Sequence, residues 1–198
     1  MKNKFVLIIL LFCLTYKTCV SQINKGKNEK FVIVLDIQDF YKKNSQLDSS
    51  VGEMILNVNS LISNFEPKKI IYVKAAGKML NISLKGFLVD TMEAPKFDSN
   101  LKVLSNNIFI KIKGDAFTST ELVNFLETNN AKEIVLVGLM AEKCLFQTAM
   151  GGIARGYNIF IVPEAIVGMT LKKKAKAIKK MNKNGAKSLT IKDFIITP

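Results

Sequence analysis

The sequence contains no histidine. Imidazole is the side chain whose ordinary pKa lies nearest neutrality and the commonest transition-metal ligand, so its absence excludes Cys-His and Ser-His-Asp catalysis. Proton transfer at neutral pH falls to carboxylates and lysines. Cysteine is scarce, with three residues at positions 13, 19 and 144. Acidic residues are outnumbered, 16 against 29 basic ones, for a formal charge of +13. The apolar run Phe5 to Leu14 is shorter than the roughly 20 residues a helix needs to cross a bilayer, so no stable membrane span is expected.

That run follows Lys2 and Lys4 and gives way to small and polar residues ending Val20-Ser21-Gln22, the pattern of a secretory signal. We read residues 1–21 as a signal peptide, 22–30 as a short polar leader and 31–198 as one continuous domain, exported to a periplasmic or extracellular space. Losing the signal removes Lys2, Lys4 and Lys17, and also Cys13 and Cys19. Cys144 is then alone in a compartment where thiols usually pair, and nucleophilic chemistry is one reason for keeping it. Much of the remaining charge is local. Lys172, Lys173, Lys174, Lys176, Lys179, Lys180 and Lys183 crowd one segment in which Leu171, Ala175, Ile178 and Met181 keep helical spacing. This is the solvated face of a packed helix, and with no interleaved aromatics to stack on bases no nucleic acid is expected.

Apolar runs of strand length alternate with amphipathic segments. Phe31 to Leu35, Lys69 to Val73, Ile108 to Lys113, Ile134 to Val137 and Asn158 to Pro163 read as strands buried on both faces. Ser50 and Glu53 form a capping-box spacing ahead of a helix that Pro67 stops, and Thr118 with Glu121 repeats it. Residues 75 to 106 show no sustained period and read as a long excursion that shapes a binding site. Gly185 caps the lysine-rich helix, and Ser188 to Ile191 and Phe194 to Ile196 supply a last short strand or two. The alternation predicts an α/β fold: a three-layer αβα, Rossmann-like domain with a mostly parallel sheet of five or six strands and helices on both faces.

Three residues could meet at the carboxyl edge of such a sheet. Cys144 falls in the first turn of the helix after Ile134 to Gly138, where unpaired N–H groups and the helix dipole lower a thiol's pKa and can receive an oxyanion. Asp36 ends the first strand, a position that also suits a plain turn cap. Lys111 and Lys113 lie two apart and share a face, so periodicity does not separate them. The carboxylate would take the thiol proton, the thiolate would attack a carbonyl carbon, and the lysine would hold both in their reactive states.

Val34-Leu35-Asp36-Ile37-Gln38-Asp39-Phe40 and Gly138-Leu139-Met140-Ala141-Glu142-Lys143-Cys144, continuing through Thr148-Ala149 to Arg155-Gly156-Tyr157, resemble the two signature motifs of the isochorismatase-like cysteine hydrolases. That group includes nicotinamidases and carbamoylsarcosine-type amidohydrolases. The resemblance implies Asp36 as acid/base, Cys144 as nucleophile and, by its distance from Ala116-Phe117, Lys111 as the catalytic lysine. It also implies a cis peptide between Leu139 and Met140 and an oxyanion hole from the Met140 and Cys144 N–H groups. The substrate would be a small molecule with an amide or related carbon–nitrogen bond, cleaved through a thioester. No cofactor is expected, and relatives often self-associate into homo-oligomers. Nicotinamidases hold a metal with histidines and an aspartate, so neither a metal nor nicotinamide is expected here. The competing reading is a catalytically silent relative that binds a ligand or a protein.

Overall fold

The computed structural model describes residues 30–39, 48–83, 86–91 and 93–194. The expected signal peptide, all of the leader but Lys30, and the end of the chain beyond Phe194 lie outside the described residues. Six strands form one sheet: Phe31–Leu35 (β1), Ile70–Ala75 (β2), Ile108–Lys111 (β5), Glu133–Leu139 (β6), Asn158–Val167 (β7) and Lys187–Ser188 (β8). Their order is β5-β2-β1-β6-β7-β8, with every neighbouring pair parallel.

Both faces of the sheet are covered, which is why its strands read as unbroken apolar runs rather than alternating ones. Val32, Val34, Val135 and Val137 face the helix Asp48–Ile62 (α1). Ile33, Leu35, Ile134 and Leu136 face the opposite layer of Thr120–Thr128 (α2), Phe146–Ala154 (α3) and Leu171–Lys183 (α4). This is the expected three-layer arrangement. The chain runs outward from β1 to β2 and β5, then returns to place β6 on the other side of β1. The carboxyl ends of β1 and β6 therefore open a crevice where the strand order reverses, the place where open α/β sheets bind ligands.

Several local expectations change. Helix α1 starts at Asp48, so Ser50 lies inside it rather than capping it. Ser119, not Thr118, is the cap residue of α2. Its hydroxyl donates to Glu121 Oε2 at 2.9 Å, while Thr118 is drawn into a preceding short turn by donating to the Asp115 carbonyl at 2.7 Å. Within the 75–106 excursion, Lys78–Ser83 (β3) and Gly86–Thr91 (β4) pair as an antiparallel hairpin in a sheet of their own. Such pairing rests on backbone hydrogen bonds that residue pattern marks only weakly. Strand β5 ends at Lys111, leaving Lys113 outside it. Strand β7 runs past Pro163 because its register against β6 jumps between Leu136 and Gly138, and proline is tolerated at such an irregularity. Ile191–Phe194 is a short 3₁₀ turn instead of strand. The lysine-rich helix is rotated from the expected face: Ala177 and Met181 are buried, whereas Ala175 is exposed and Leu171 is 81% exposed. Gly185, at φ 108°, follows this helix as its expected cap.

One glycine holds the crevice together. Gly138, at φ 111°, pairs with Leu35 where a Cβ would come within 2.2 Å of the Leu35 carbonyl oxygen. The close approach lets β6 leave the sheet directly beside the end of β1. Gly138→Ala adds a backbone clash to an unfavourable φ, and we expect a loss of about 3 kcal/mol or more, read as a lowered urea midpoint with unchanged slope.

Candidate active site

Asp36 follows the last residue of β1 and adopts φ 58°, a left-handed conformation that aspartate tolerates better than most residues. Its N–H donates to the Val73 carbonyl at 2.9 Å and its own carbonyl accepts from Gln38 N–H at 2.9 Å. The backbone thus turns sharply at the strand end and keeps the carboxylate fully buried, at 0% exposure.

Lys111 reaches the same point from two strands away. Parallel neighbours lie roughly 4.8 Å apart, so β5 and β1 are separated by about 10 Å across β2. β2 ends at Ala75, the register partner of Lys111, and Ala76 follows it, so the side chains beside the lysine at this edge are small. Lys111 Nζ ends 2.9 Å from Asp36 Oδ2, with both side chains almost completely buried. Lys111 and Cys144 both interact with the Asp36 carboxylate, which gathers the three side chains at one point. Lys113 is exposed, and the structure brings only Lys111 of the two to Asp36.

Cys144 enters from the far side of β1, after the end of β6. Residues Ala141–Leu145 make a single wide turn in which the Met140 carbonyl accepts from Lys143 N–H at 2.9 Å and from Leu145 N–H at 3.2 Å. Lys143 has non-helical angles, φ −122° and ψ −107°, and the regular helix α3 begins only at Phe146. The break at Lys143 makes Cys144 the start of a run of helical angles that continues through Leu145 into α3, so the thiol stands in that helix's first turn, the placement expected for it. The peptide between Leu139 and Met140, just before this turn, is cis. Cys144 is half-buried and free, the one cysteine among the described residues.

Two pKa shifts follow from this enclosure. Burial raises the Asp36 carboxyl above its ordinary value, against the opposing pull of Lys111 and a smaller one from Cys144. Burial likewise raises the Cys144 thiol, reinforced by the Asp36 carboxylate and partly offset by Lys111. Burial and the carboxylate beside the sulfur thus work against the depressed thiol expected at a helix start. The Cys144 thiol faces a carboxylate that is paired with Lys111.

Three supporting residues carried no spacing signal that singled them out. Gln38 is buried, donates through Nε2 to the Ala75 and Pro95 carbonyls, each at 3.1 Å, and accepts from Ala75 N–H at 2.9 Å. It ties the segment after Asp36 to the end of β2 and to the 94–98 stretch. Thr148, on α3, accepts from Ala116 N–H at 3.0 Å, holding the loop after Lys111 against the helix after Cys144. Glu142 accepts from Met169 N–H at 3.0 Å and anchors the cysteine turn to the end of β7. Gln38, Glu142 and Thr148 lay within the motifs already quoted, but nothing in their residue types announced these bonds.

The Isochorismatase domain family matches residues 30–193. A secreted isochorismatase effector from Verticillium dahliae is 25% identical over 143 residues, covering 70% of this chain and 72% of that protein. A probable inactive nicotinamidase of Arabidopsis thaliana is 28% identical over 86 residues, covering 43% of this chain and 44% of that one. Among solved structures, the zinc complex of Pyrococcus horikoshii pyrazinamidase superimposes with a TM-score of 0.66 at 20% identity, covering 82% of this chain and 99% of that one.

The buried ion pair yields a stability prediction. Lys111→Met leaves Asp36 enclosed without its counter-charge and is expected to cost about 3 to 5 kcal/mol in urea unfolding. Combining it with Asp36→Asn removes the orphaned charge, so the double variant recovers part of that loss. A double variant no more stable than Lys111→Met alone contradicts the pairing.

Proposed function

Since the chain belongs to the Isochorismatase domain family, we propose that it is a cysteine-dependent hydrolase of a small amide or related carbon–nitrogen bond, working through a thioester. The observation that carries this reading is the Lys111–Asp36 pair at 2.9 Å, buried at the point where Cys144 meets both charges. In the proposed reaction Asp36 takes the proton of the Cys144 thiol as sulfur attacks the carbonyl carbon. The Met140 and Cys144 N–H groups receive the developing oxyanion. Asp36 then returns the proton to the leaving amine as the C–N bond breaks, leaving an acyl group on sulfur. A water molecule, deprotonated by Asp36, attacks that thioester; the acid departs and the proton goes back to the thiolate. Lys111 stabilises whichever of its two neighbours carries the negative charge.

No step runs through a metal. The Pyrococcus structure is a zinc complex, but this chain has no histidine, and among the described residues no group of three or more acidic or cysteine side chains could hold an ion. The donor set does not fit, and we do not assign nicotinamide as substrate. The signal-like start of the chain, together with the secreted Verticillium relative, supports export as part of this reading. Among the described residues no helix is long and apolar enough to cross a membrane. The Arabidopsis relative, described as probably inactive, motivates the second reading of a silent ligand-binding protein.

Alkylation by 2-chloroacetamide, which carries an amide into the pocket, separates the two. Cys144 is expected to react at least tenfold faster in the native protein than in Asp36→Asn, because removing the base should cost on the order of 10² in rate. Equal rates sink the hydrolase reading. The pH dependence has a defined sign. Asp36 works ionised, and burial raises its pKa above the ordinary 3.8. The alkylation rate should therefore fall on acidification at a pH above that of an exposed aspartate, with this limb absent in Asp36→Asn.

A further inference from the structure

A cleft of about 820 Å³ opens between α1, the irregular part of β7 and the start of α4, and none of Asp36, Lys111 or Cys144 lines it. Three charged side chains do: Glu53 from α1, Glu164 from β7 and Lys174 from α4. Lys174 is half-buried and has no carboxylate within 4 Å among the described residues. Burial lowers its pKa, while Glu164 and then Glu53 act against that shift from beyond contact distance. Asn57 donates to the Glu164 backbone carbonyl at 2.9 Å, fixing this part of β7 against α1 and leaving the exposed Glu164 carboxylate at the cleft. The apolar lining includes Met54 and Met169, and at the rim Leu171 is 81% exposed although it opens a packed helix.

This arrangement discriminates among ligand charges. An organic anion would gain Lys174 and meet two carboxylates. An organic cation would gain the carboxylates and meet the like charge of Lys174 in the same cleft. A molecule carrying both charges, with an apolar body, satisfies all three groups and covers Leu171. We propose that the cleft is a second small-molecule site for a zwitterion of the apolar α-amino acid class, with its carboxylate on Lys174, its ammonium on Glu53 and Glu164, and its side chain against Met54, Met169 and Leu171. The site is independent of the hydrolase reading, because it shares no residue with the proposed triad.

The test is an NMR titration of the full chain with three probes of matched body: L-leucine, isopentylamine and 4-methylpentanoate. L-Leucine is expected to bind with Kd of about 1 mM or tighter, and each single-charge probe at least tenfold more weakly. Lys174→Met and Glu164→Gln, verified as folded by circular dichroism, should each weaken L-leucine at least tenfold. Absence of L-leucine binding at about 20 mM overturns the proposal. So does equal binding of either single-charge probe, or unweakened binding in either variant. The probe comparison uses the native protein and holds even where a variant fails to fold.

Discussion

The structure depends most on bringing a lysine from the sheet's edge to a carboxylate at its centre. Lys111 stands on β5, two strands from β1, yet its ammonium ends 2.9 Å from Asp36 with water all but excluded from both. Neither charge would remain buried alone: an isolated ion in such surroundings neutralises itself or costs several kcal/mol. Everything at that edge serves the distance between them. Ala75 and Ala76 keep side-chain bulk small at the end of β2, Gln38 closes the end of β1 against β2, and Thr148 fixes the loop that follows the lysine. A pair bought at this desolvation cost is weak evidence for stability as an aim, which is why its position beside a half-buried thiol matters.

The cysteine side of the crevice is governed by backbone geometry instead. Gly138 passes β1 too closely for any side chain, and the chain then makes the wide turn whose Met140 carbonyl gathers two N–H groups. The kink at Lys143 starts the helical run at Cys144, which leads directly into α3. A helix start and Lys111 favour the thiolate, while burial and the neighbouring carboxylate act in the opposite direction. Asp36 is the carboxylate that stands beside the sulfur.

Most of the architecture was legible in the residues because parallel strands covered on both faces leave an unmistakable signature, such as Ile134-Val135-Leu136-Val137. Asp36 and Cys144 were legible as strand-end positions, and the strand order brings those two ends together at β1 and β6. Lys111 was not separable from Lys113 by period, because a two-residue repeat cannot report which of two like-facing residues is covered. The structure distinguishes them through the length of β5 and the burial of Lys111 alone. The hairpin β3–β4 and the true buried face of α4 escaped for a related reason. Both are decided by what packs against them, and Leu171, apolar by type, ends up at the rim of a cleft.

A chain without histidine has no group whose ordinary pKa suits proton transfer at neutral pH, and burial supplies what residue choice does not. Desolvation raises the Asp36 carboxyl and the Cys144 thiol together, so moving the proton from sulfur to oxygen does not require working against a strongly acidic acceptor. In the proposed reaction the charge count stays constant during that transfer. Before it, the negative charge on Asp36 faces Lys111; after it, the negative charge on sulfur faces the same ammonium, which acts on both groups. No net charge enters or leaves the desolvated pocket, so the penalty for burying an ion is met once, in the folded protein, and not again in the barrier. In this reading the lysine's value lies in touching both of its neighbours from a third strand, which neither a surface cation nor Lys113 could do.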